Sequence, residues 1–410
     1  MTDSAAAPNE PPWETCQAND GRCPGVRLDD SDRCLAHAKP SAGASAFQQL
    51  AAGAPLTFAR GVPFTAKLLA DLLEAAPTDD HNRPVLRDAD FTLARFQDDA
   101  RFSEAIFQGG GAVFDGATFQ GAAKFDVATF QGVAHFHGTI FEGQADFTWT
   151  RFEGRAWFVM ATFQRDARFD GQNPPGQATF QDGAQFDQAT FQGDAKFGEA
   201  TFRGQAQFGA ATFQGDAQFG GATFEGAAVF YDATFQGDAE FGGTAFQDHA
   251  LFGAVSFQGP TRFGPLSVTG RLDLHQAIFA RSVRFEITAA TILGTEFRLE
   301  GGGGMISLDN PSGGVLLDRA ILTQPLTLTA VGSRAGMGSP SGEPTTAGAS
   351  RQGPGRLSQP KVLGVRGVDA SNLVLTDLDL GVCQSLVHIT WTSCGSRGWP
   401  RLPKAPVAGK

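Results

Sequence analysis

The fold is decided by residues 186–219, which read FDQATFQGDAKFGEATFRGQAQFGAATFQGDAQF. Phe recurs there in steps that alternate between five and six residues, so the full period is eleven residues. Similar spacing extends from Phe91 to Phe263, a stretch that contains 31 of the 37 Phe residues of the chain. Regular spacing over so many units indicates a repeat architecture rather than several separate globular domains.

Each unit has the pattern of one very short strand followed by a corner. Ala lies two residues before Phe, as in Ala189-Thr190-Phe191, so both side chains point to the same face of an extended segment. Gly, Gln and Asp follow Phe, and these residues suit tight turns. Stacked units would place Phe over Phe, which predicts a solenoid with an aromatic core. In the most regular stretch the predicted core residues are Phe191, Phe197, Phe202, Phe208, Phe213, Phe219 and Phe224.

The motif resembles that of the pentapeptide-repeat family, whose five-residue units centre on Leu or Phe with Ala two residues earlier. Ala200-Thr201-Phe202 and Ala206-Gln207-Phe208 occupy those positions, and the resemblance covers roughly residues 85–300. It implies an all-β fold, a right-handed quadrilateral β-helix with one unit on each side. This chain adds one residue to alternate units, so a coil would take 22 residues. The stretch from Phe91 to Phe263 would then make about eight coils, a rod about 38 Å long.

Two interruptions of the spacing are predicted to be local. The step from Phe107 to Phe114 is seven residues, and the Gly run at 109–111 would absorb the extra residue. Residues 170–177 read DGQNPPGQ, and paired prolines cannot donate to a strand ladder, so a loop at one corner is expected. A tolerated surface insertion and a binding loop remain as two interpretations of this segment.

Composition outside the repeat divides the rest of the chain. An amphipathic helix is predicted over residues 63–74, with an apolar face made of Leu68, Leu69, Leu72 and Leu73 that would cover the first coil. The predicted regions are 1–45, a Cys/His segment; 46–88, a helical N-terminal cap; 89–265, the regular solenoid; 266–330, its irregular continuation; 331–360, a disordered linker; 361–382, a final coil; and 383–410, an irregular tail.

A candidate metal site precedes the repeat. Cys16, Cys23, Cys34 and His37 have the spacing C-x6-C-x10-C-x2-H, and three thiolates with one imidazole suit a structural zinc ion. The six-residue gap is longer than usual, so unrelated reduced thiols are the alternative interpretation. Four protein ligands would leave no open position for catalysis. His135 and His137 could form a surface metal pair, but two solvated side chains are the simpler interpretation.

Two outward rows follow from the period. Residues 91–263 contain 20 Asp or Glu against 10 Lys or Arg, and Asp194, Asp216 and Asp238 recur every 22 residues, which predicts an acidic row along the rod. The same acidity also serves solubility. Thr recurs every eleven residues at Thr190, Thr201, Thr212, Thr223 and Thr234. A regular Thr row leaves ice binding as a remote alternative, although Thr also simply favours strands.

These patterns predict a non-enzymatic scaffold that presents an acidic side to an unknown protein partner. No nucleophile–base set or phosphate-binding loop is apparent in the sequence. The resemblance implies a second candidate, a DNA mimic that acts on a type II topoisomerase such as DNA gyrase, and it implies homodimers through an uncovered terminal coil. A net charge of −11 argues against nucleic acid as a partner. The chain has neither a membrane-spanning apolar run nor a secretory signal, so a cytoplasmic location is expected.

Overall fold

The structure, a computed structural model, describes residues 11–383 except 172–176, 282, 309–312, 331–359, 369, 377 and 382. Most of the predicted linker, the tail beyond Cys383 and the middle of the predicted loop at 170–177 lie outside the described residues. The described chain is a β-solenoid that follows a short N-terminal segment with two helices.

Parallel strands wind around four sides. Side 1 holds Pro63–Phe64, Arg95–Phe96, Thr118–Phe119, Ile140–Phe141, Thr162–Phe163, Thr190–Phe191, Thr212–Phe213, Thr234–Phe235, Ser256–Phe257, Ile278–Phe279, Arg298–Leu299 and Ile321–Leu322. Side 2 holds Ala100–Arg101, Ala123–Lys124, Ala145–Asp146, Ala167–Arg168, Ala195–Lys196, Ala217–Gln218 and Ala239–Glu240. Twelve successive strands on side 1 correspond to about eleven turns within the described residues.

The other two sides alternate with these. Side 3 holds Val85–Arg87, Ile106–Gln108, Thr129–Phe130, Arg151–Phe152, Thr179–Phe180, Thr201–Phe202, Thr223–Phe224 and Ala245–Phe246. Side 4 holds Gly111–Val113, Val133–His135, Ala156–Trp157, Ala184–Gln185, Ala206–Gln207, Ala228–Val229 and Ala250–Leu251. Each strand pairs in register with the strand one coil further on, as Phe191 does with Phe213, so the regular coil is 22 residues long.

The core consists of four columns of Phe rings, one for each side. Within a column the rings stack nearly parallel, with centroids 4.9 Å apart for Phe191 and Phe213 and 5.0 Å apart for Phe197 and Phe219. Between columns they meet edge to face, as Phe186 does with Phe197 at 5.3 Å and 84°. Both arrangements are ones that aromatic pairs prefer. All seven predicted core Phe residues are at most 1% exposed.

Two kinds of corner explain why steps of five and six alternate. After sides 2 and 4 the chain makes a turn in which the amide of Ala128 donates to the carbonyl of Phe125 at 3.0 Å, and Val127 has φ +62°. This is the geometry of a type II turn. From the Phe of sides 1 and 3 the step to the next Phe is six residues instead of five, and the corner between them brings a glycine, such as Gly215, against the backbone of the preceding coil.

Gly215→Ala is expected to lower the free energy of unfolding by about 1–3 kcal/mol. A Cβ atom on this residue would lie 2.5 Å from the carbonyl carbon and oxygen of Gly193, so the two coils would have to separate. Gly183→Ala is the matched control, because its Cβ would lie 3.7 Å from the nearest atom, the carbonyl oxygen of Gln205. Urea unfolding of both variants measures the difference, and equal losses would contradict the tight-corner explanation.

The N-terminal cap lies on the first coil. Helix α1 spans Pro40–Ala51 and helix α2 spans Ala66–Ala75. Helix α2 corresponds to the helix predicted over residues 63–74 and ends one residue beyond it. The Thr65 side chain accepts a hydrogen bond from the amide of Leu68 and so caps α2, while Leu69 and Leu72 face the core. Helix α1 was not predicted, because only Ala46 and Leu50 of its residues are fully buried and its apolar period is therefore sparse.

The solenoid continues beyond the regular repeat with strands of less regular length, of which the first two, Thr261–Asp273 and Val283–Leu293, pass through corners. These strands are Thr261–Asp273, Val283–Leu293, Gly303–Leu308, Gly314–Leu316, Leu326–Ala330, Lys361–Gly364 and Leu373–Thr376, and a short 3-10 helix covers Ala370–Asn372. The last two strands pair with Gly314–Leu316 and Leu326–Ala330, so the chain returns to the rod after residue 360. At the loop of residues 170–177 the amide of Ala178 donates to the carbonyl of Phe169, as in the other turns of this kind.

Candidate metal centre

The Cys/His segment folds into a small knuckle before the first coil. Thr15 and Val26 form an antiparallel bridge, and the amide of Cys16 donates to the carbonyl of Gly25 at 2.8 Å. Between the first two cysteines the chain turns through Asn19 and Asp20, which both have positive φ, and through Gly21. This turn brings Cys23 back beside Cys16 despite the six-residue gap.

The four predicted ligands converge on one point. Their ligand atoms all lie within 4.8 Å of one another. Nδ1 of His37 lies 3.5 Å from Sγ of Cys16, 3.6 Å from Sγ of Cys23 and 3.4 Å from Sγ of Cys34. The imidazole reaches this position because the chain turns after Cys34, where the amide of Ala38 donates to the carbonyl of Cys34. The three thiols are buried, and His37 is the least buried of the four residues.

The geometry fits a tetrahedral metal ion. Metal–sulfur bonds of about 2.3 Å and metal–nitrogen bonds of about 2.0–2.1 Å place neighbouring ligand atoms about 3.5–3.8 Å apart around a tetrahedron. The observed distance between Sγ of Cys23 and Sγ of Cys34 is 3.9 Å, which is far longer than a disulfide bond. These four residues could therefore hold a metal ion, with every position around it filled by protein.

The pKa values of the thiols respond to their surroundings in different directions. Burial, followed by the charges of Cys23 and Cys16, raises the pKa of Cys34. Burial also raises the pKa of the Cys23 thiol. At Cys16 burial acts in the same direction, but amide hydrogen bonds from Cys34 and Ala18 outweigh it and lower the pKa. A divalent cation would offset the repulsion between three thiolates in so small a space.

The knuckle is attached to the first coil of the solenoid. The indole N–H of Trp13 donates to the carbonyl of Pro24, and the guanidinium of Arg60 lies 5.7 Å from the centre of the Trp13 ring. Nε of Arg60 lies 3.0 Å from a carboxylate oxygen of Asp90. A Cβ atom on Gly25 would lie 2.8 Å from Sγ of Cys34, so the knuckle needs glycine here. The segment that carries the metal ligands is thus the same segment that contacts the first coil.

The predicted acidic residues lie in one ladder along the corner between sides 1 and 2. Two of the three carboxylates fix the next coil: Oδ1 of Asp194 accepts the amide of Asp216 at 3.2 Å, and Oδ1 of Asp216 accepts the amide of Asp238 at 3.0 Å. Asp166 extends the ladder, because its carboxylate accepts the amide of Asp194 at 3.3 Å. The sequence indicated the spacing, but it did not indicate that these carboxylates also bind backbone amides.

Lys196 is a basic residue within this ladder that the sequence analysis did not single out. Nζ of Lys196 lies 3.0 Å from Oδ2 of Asp166 and 3.7 Å from Oδ2 of Asp194. Burial acts to raise the pKa of Asp166, but the hydrogen bonds from Lys196 and from the Asp194 amide lower it overall. The hydrogen bond to Asp166 raises the pKa of Lys196. Lys196 therefore offsets negative charge at Asp166 and Asp194, and the charges of Asp216 and Asp238 are the ones it leaves unbalanced.

The predicted single Thr row is wrong, because a period of eleven is half a coil. Thr190, Thr212 and Thr234 pair on side 1. Thr201 and Thr223 pair on side 3, on the opposite side of the rod.

The imidazole of His135 packs edge-on against the ring of Trp157 at 4.5 Å, and the carboxylate of Asp115 accepts the amide of His137. Among the described residues, the Cys/His knuckle is the group whose ligand atoms converge on a metal position.

Comparisons with known proteins concern the repeat. A family model described as pentapeptide repeats (9 copies) matches residues 82–129, 125–171 and 176–223. Comparison with curated proteins and comparison with solved structures both give no match. No helix in the described part of the chain has the length and apolar character needed to cross a membrane.

Proposed function

Because residues 82–171 and 176–223 belong to the pentapeptide-repeat family, we propose that this protein is a non-enzymatic scaffold that presents an acidic surface to a protein partner. The observation that carries the proposal is the ladder of Asp194, Asp216 and Asp238, in which amides of the next coil hold the carboxylates of Asp194 and Asp216 at coil spacing. Fixed charges on a rigid rod lose little conformational entropy on binding. The partner would present a complementary basic surface.

Replacing Asp194, Asp216 and Asp238 together with asparagine tests this proposal. Asparagine keeps an oxygen that can accept the amide of the next coil, so the rod should remain folded while three charges are lost. Proteins captured from the native host by the wild-type chain are quantified by mass spectrometry. The specific partner should be captured about tenfold or more weakly by the triple variant, which is a loss of about 1.4 kcal/mol or more.

The matched control replaces three carboxylates away from the ladder: Glu199→Gln, Glu225→Gln and Asp248→Asn. It changes the net charge by the same amount, so it separates the ladder from overall acidity. We expect the control variant to capture the partner as the wild type does. Equal capture by both triple variants would contradict a role for the ladder.

DNA mimicry toward a type II topoisomerase such as DNA gyrase is the second candidate, favoured by the sign of the charge. Residues 91–263 carry a net charge of −10, and the regular rod is about 38 Å long. Double-stranded DNA carries one negative charge per about 1.7 Å of axis, so a DNA segment of that length carries more than twice as much. The lower charge density is why we rank this function second. Supercoiling by purified gyrase that is unchanged at a large excess of this protein would exclude it.

We further propose that the knuckle holds a structural zinc ion. Three thiolates and one imidazole are a ligand set typical of structural zinc sites. The Sγ–Nδ1 distances of 3.4–3.6 Å support a tetrahedral arrangement around one ion. When bound, the metal would cross-link residues 16–37 and would have a structural role rather than a catalytic one. Through Gly25, Arg60 and Asp90 it would stabilise the knuckle on the first coil.

A further inference from the structure

A groove of about 640 Å³ runs along the corner between sides 2 and 3. It spans four successive coils near the N-terminal end of the rod. Arg101, Lys124 and Arg168 line it on side 2, and Val127 and Trp149 line it at the corner. Its volume is in the range of small-molecule sites, about 300–1,000 Å³. The acidic ladder does not line this groove, so the groove is separate from the surface of the proposed function.

Two like charges face each other in the groove. Arg101 and Lys124 are in register on the adjacent strands Ala100–Arg101 and Ala123–Lys124. Like charges directly opposite each other on neighbouring strands destabilise a sheet. Within the residues that the structure describes, neither cation forms an ion pair. Arg168 differs, because its Nε lies 3.4 Å from a carboxylate oxygen of Asp170.

Two carboxylates also line the groove, but neither forms an ion pair with Arg101 or Lys124 among the described residues. Oδ1 of Asp126 accepts a hydrogen bond from the hydroxyl of Ser103 at 2.6 Å. Oδ1 of Asp146 accepts hydrogen bonds from the amide and the hydroxyl of Thr148 at 3.0 and 2.5 Å. Asp146 is in register with Lys124, but the two side chains form no ion pair in the described part of the chain. An added anion between Arg101 and Lys124 would relieve their repulsion.

The corner beside these cations carries an exposed aromatic side chain. Trp149 is 43% exposed and has φ +62°, a backbone conformation that costs a non-glycine residue roughly 1–2 kcal/mol. Glycine occupies the equivalent corner position further along the same edge, at Gly221 and Gly243. Glu104, Val127 and Glu199 have the same positive φ at this corner, so Trp149 is distinguished by its large exposed indole beside the two cations, and this combination points to a ligand.

We propose that this groove binds a small anion that carries a flat aromatic ring, of the class of nucleoside monophosphates. The phosphate would lie between Arg101 and Lys124, where it satisfies two cations, and the ring would lie against the indole of Trp149. A long nucleic-acid strand is disfavoured, because the chain has a net charge of −11 and would repel an extended polyanion. A short ligand with one phosphate group avoids most of that repulsion.

Titration calorimetry of the full chain with AMP tests the proposal, with adenosine and inorganic phosphate as the two halves of the probe. We expect AMP to bind at least about tenfold more tightly than either half, because ring and anion contacts act together. Arg101→Gln with Lys124→Gln should weaken AMP binding by about tenfold or more and leave adenosine binding unchanged. Trp149→Gly should weaken the binding of both AMP and adenosine.

Matched controls separate binding from stability. Met160→Gly removes a similarly exposed side chain, 52% against 43% for Trp149, at another corner with φ +58°. Both glycine variants therefore relax the backbone, but only Trp149→Gly should lose the ligand. Arg151→Gln removes a charge from side 3. Circular dichroism checks that every variant is folded. The proposal is overturned if AMP binds no more tightly than phosphate or adenosine, or if Met160→Gly weakens AMP binding as much as Trp149→Gly.

Discussion

Replacing Phe197 with alanine is expected to lower the free energy of unfolding by about 3–5 kcal/mol. The ring is fully buried and stacks between Phe169 at 4.6 Å and Phe219 at 5.0 Å. It also meets Phe186 and Phe208 edge to face. Removal therefore leaves a cavity that breaks one column and withdraws a contact from its neighbours. Urea unfolding followed by circular dichroism measures the loss.

The control for this prediction is Gln192→Ala, an exposed substitution in the same coil, which should change the free energy of unfolding by less than about 0.5 kcal/mol. In a solenoid each coil is stabilised only by its neighbours, so the coils on the two sides of Phe197→Ala can unfold at different urea concentrations. The unfolding transition of this variant can then show two steps. A loss of under 1 kcal/mol would contradict the assignment of these rings as the dominant source of stability.

Removal of metal is expected to unfold the knuckle and to leave the rod intact. Purified protein should contain one zinc ion per chain, and Cys34→Ser should lose most of it, because a buried hydroxyl replaces a thiolate ligand. The free energy at stake is large, since structural zinc sites bind with apparent values of about 10–16 kcal/mol. Elemental analysis measures the zinc, and limited proteolysis should show new cleavage N-terminal to the first coil.

Cys383→Ser is the control for the metal prediction, because this thiol lies beside the last coil and far from the knuckle in the chain. It should keep the full zinc content. The strand signal in circular dichroism should be unchanged in both variants. Freshly purified wild-type protein without zinc, or equal zinc content in both variants, would contradict the assignment.

Much of the fold follows from one property of the sequence, the repeated Ala-x-Phe spacing. The spacing indicated short strands and stacked rings, because inward-facing residues must recur in a chain that winds at constant pitch. The four sides were implied by the resemblance to the pentapeptide-repeat family. The type II corners were harder to predict, since Val127, Trp149 and Glu199 are not residues that favour positive φ. Contact with adjoining coils imposes that conformation, and a local pattern of residues does not reveal it.

The sequence predicted which residues form the metal site, but it did not predict the contacts that attach this site to the rod. Spacing identified Cys16, Cys23, Cys34 and His37, and the structure brings their ligand atoms together. Nothing in the sequence indicated that Arg60 would link Trp13 to Asp90, because these residues meet only after the knuckle folds against the rod. The groove of Arg101 and Lys124 was missed for a similar reason, since residues 23 apart become neighbours only in register.

The regular register also governs how such a chain can change its length during evolution. Phe191 pairs with Phe213 and Phe213 with Phe235, so loss or duplication of one complete 22-residue turn would leave every remaining ladder aligned. Insertions of other lengths must leave the ladder at a corner, as between Phe169 and Ala178, where the amide of Ala178 donates to the carbonyl of Phe169. Unequal recombination within the gene would thus yield related proteins whose rods differ in length by whole coils, in steps of about 4.8 Å.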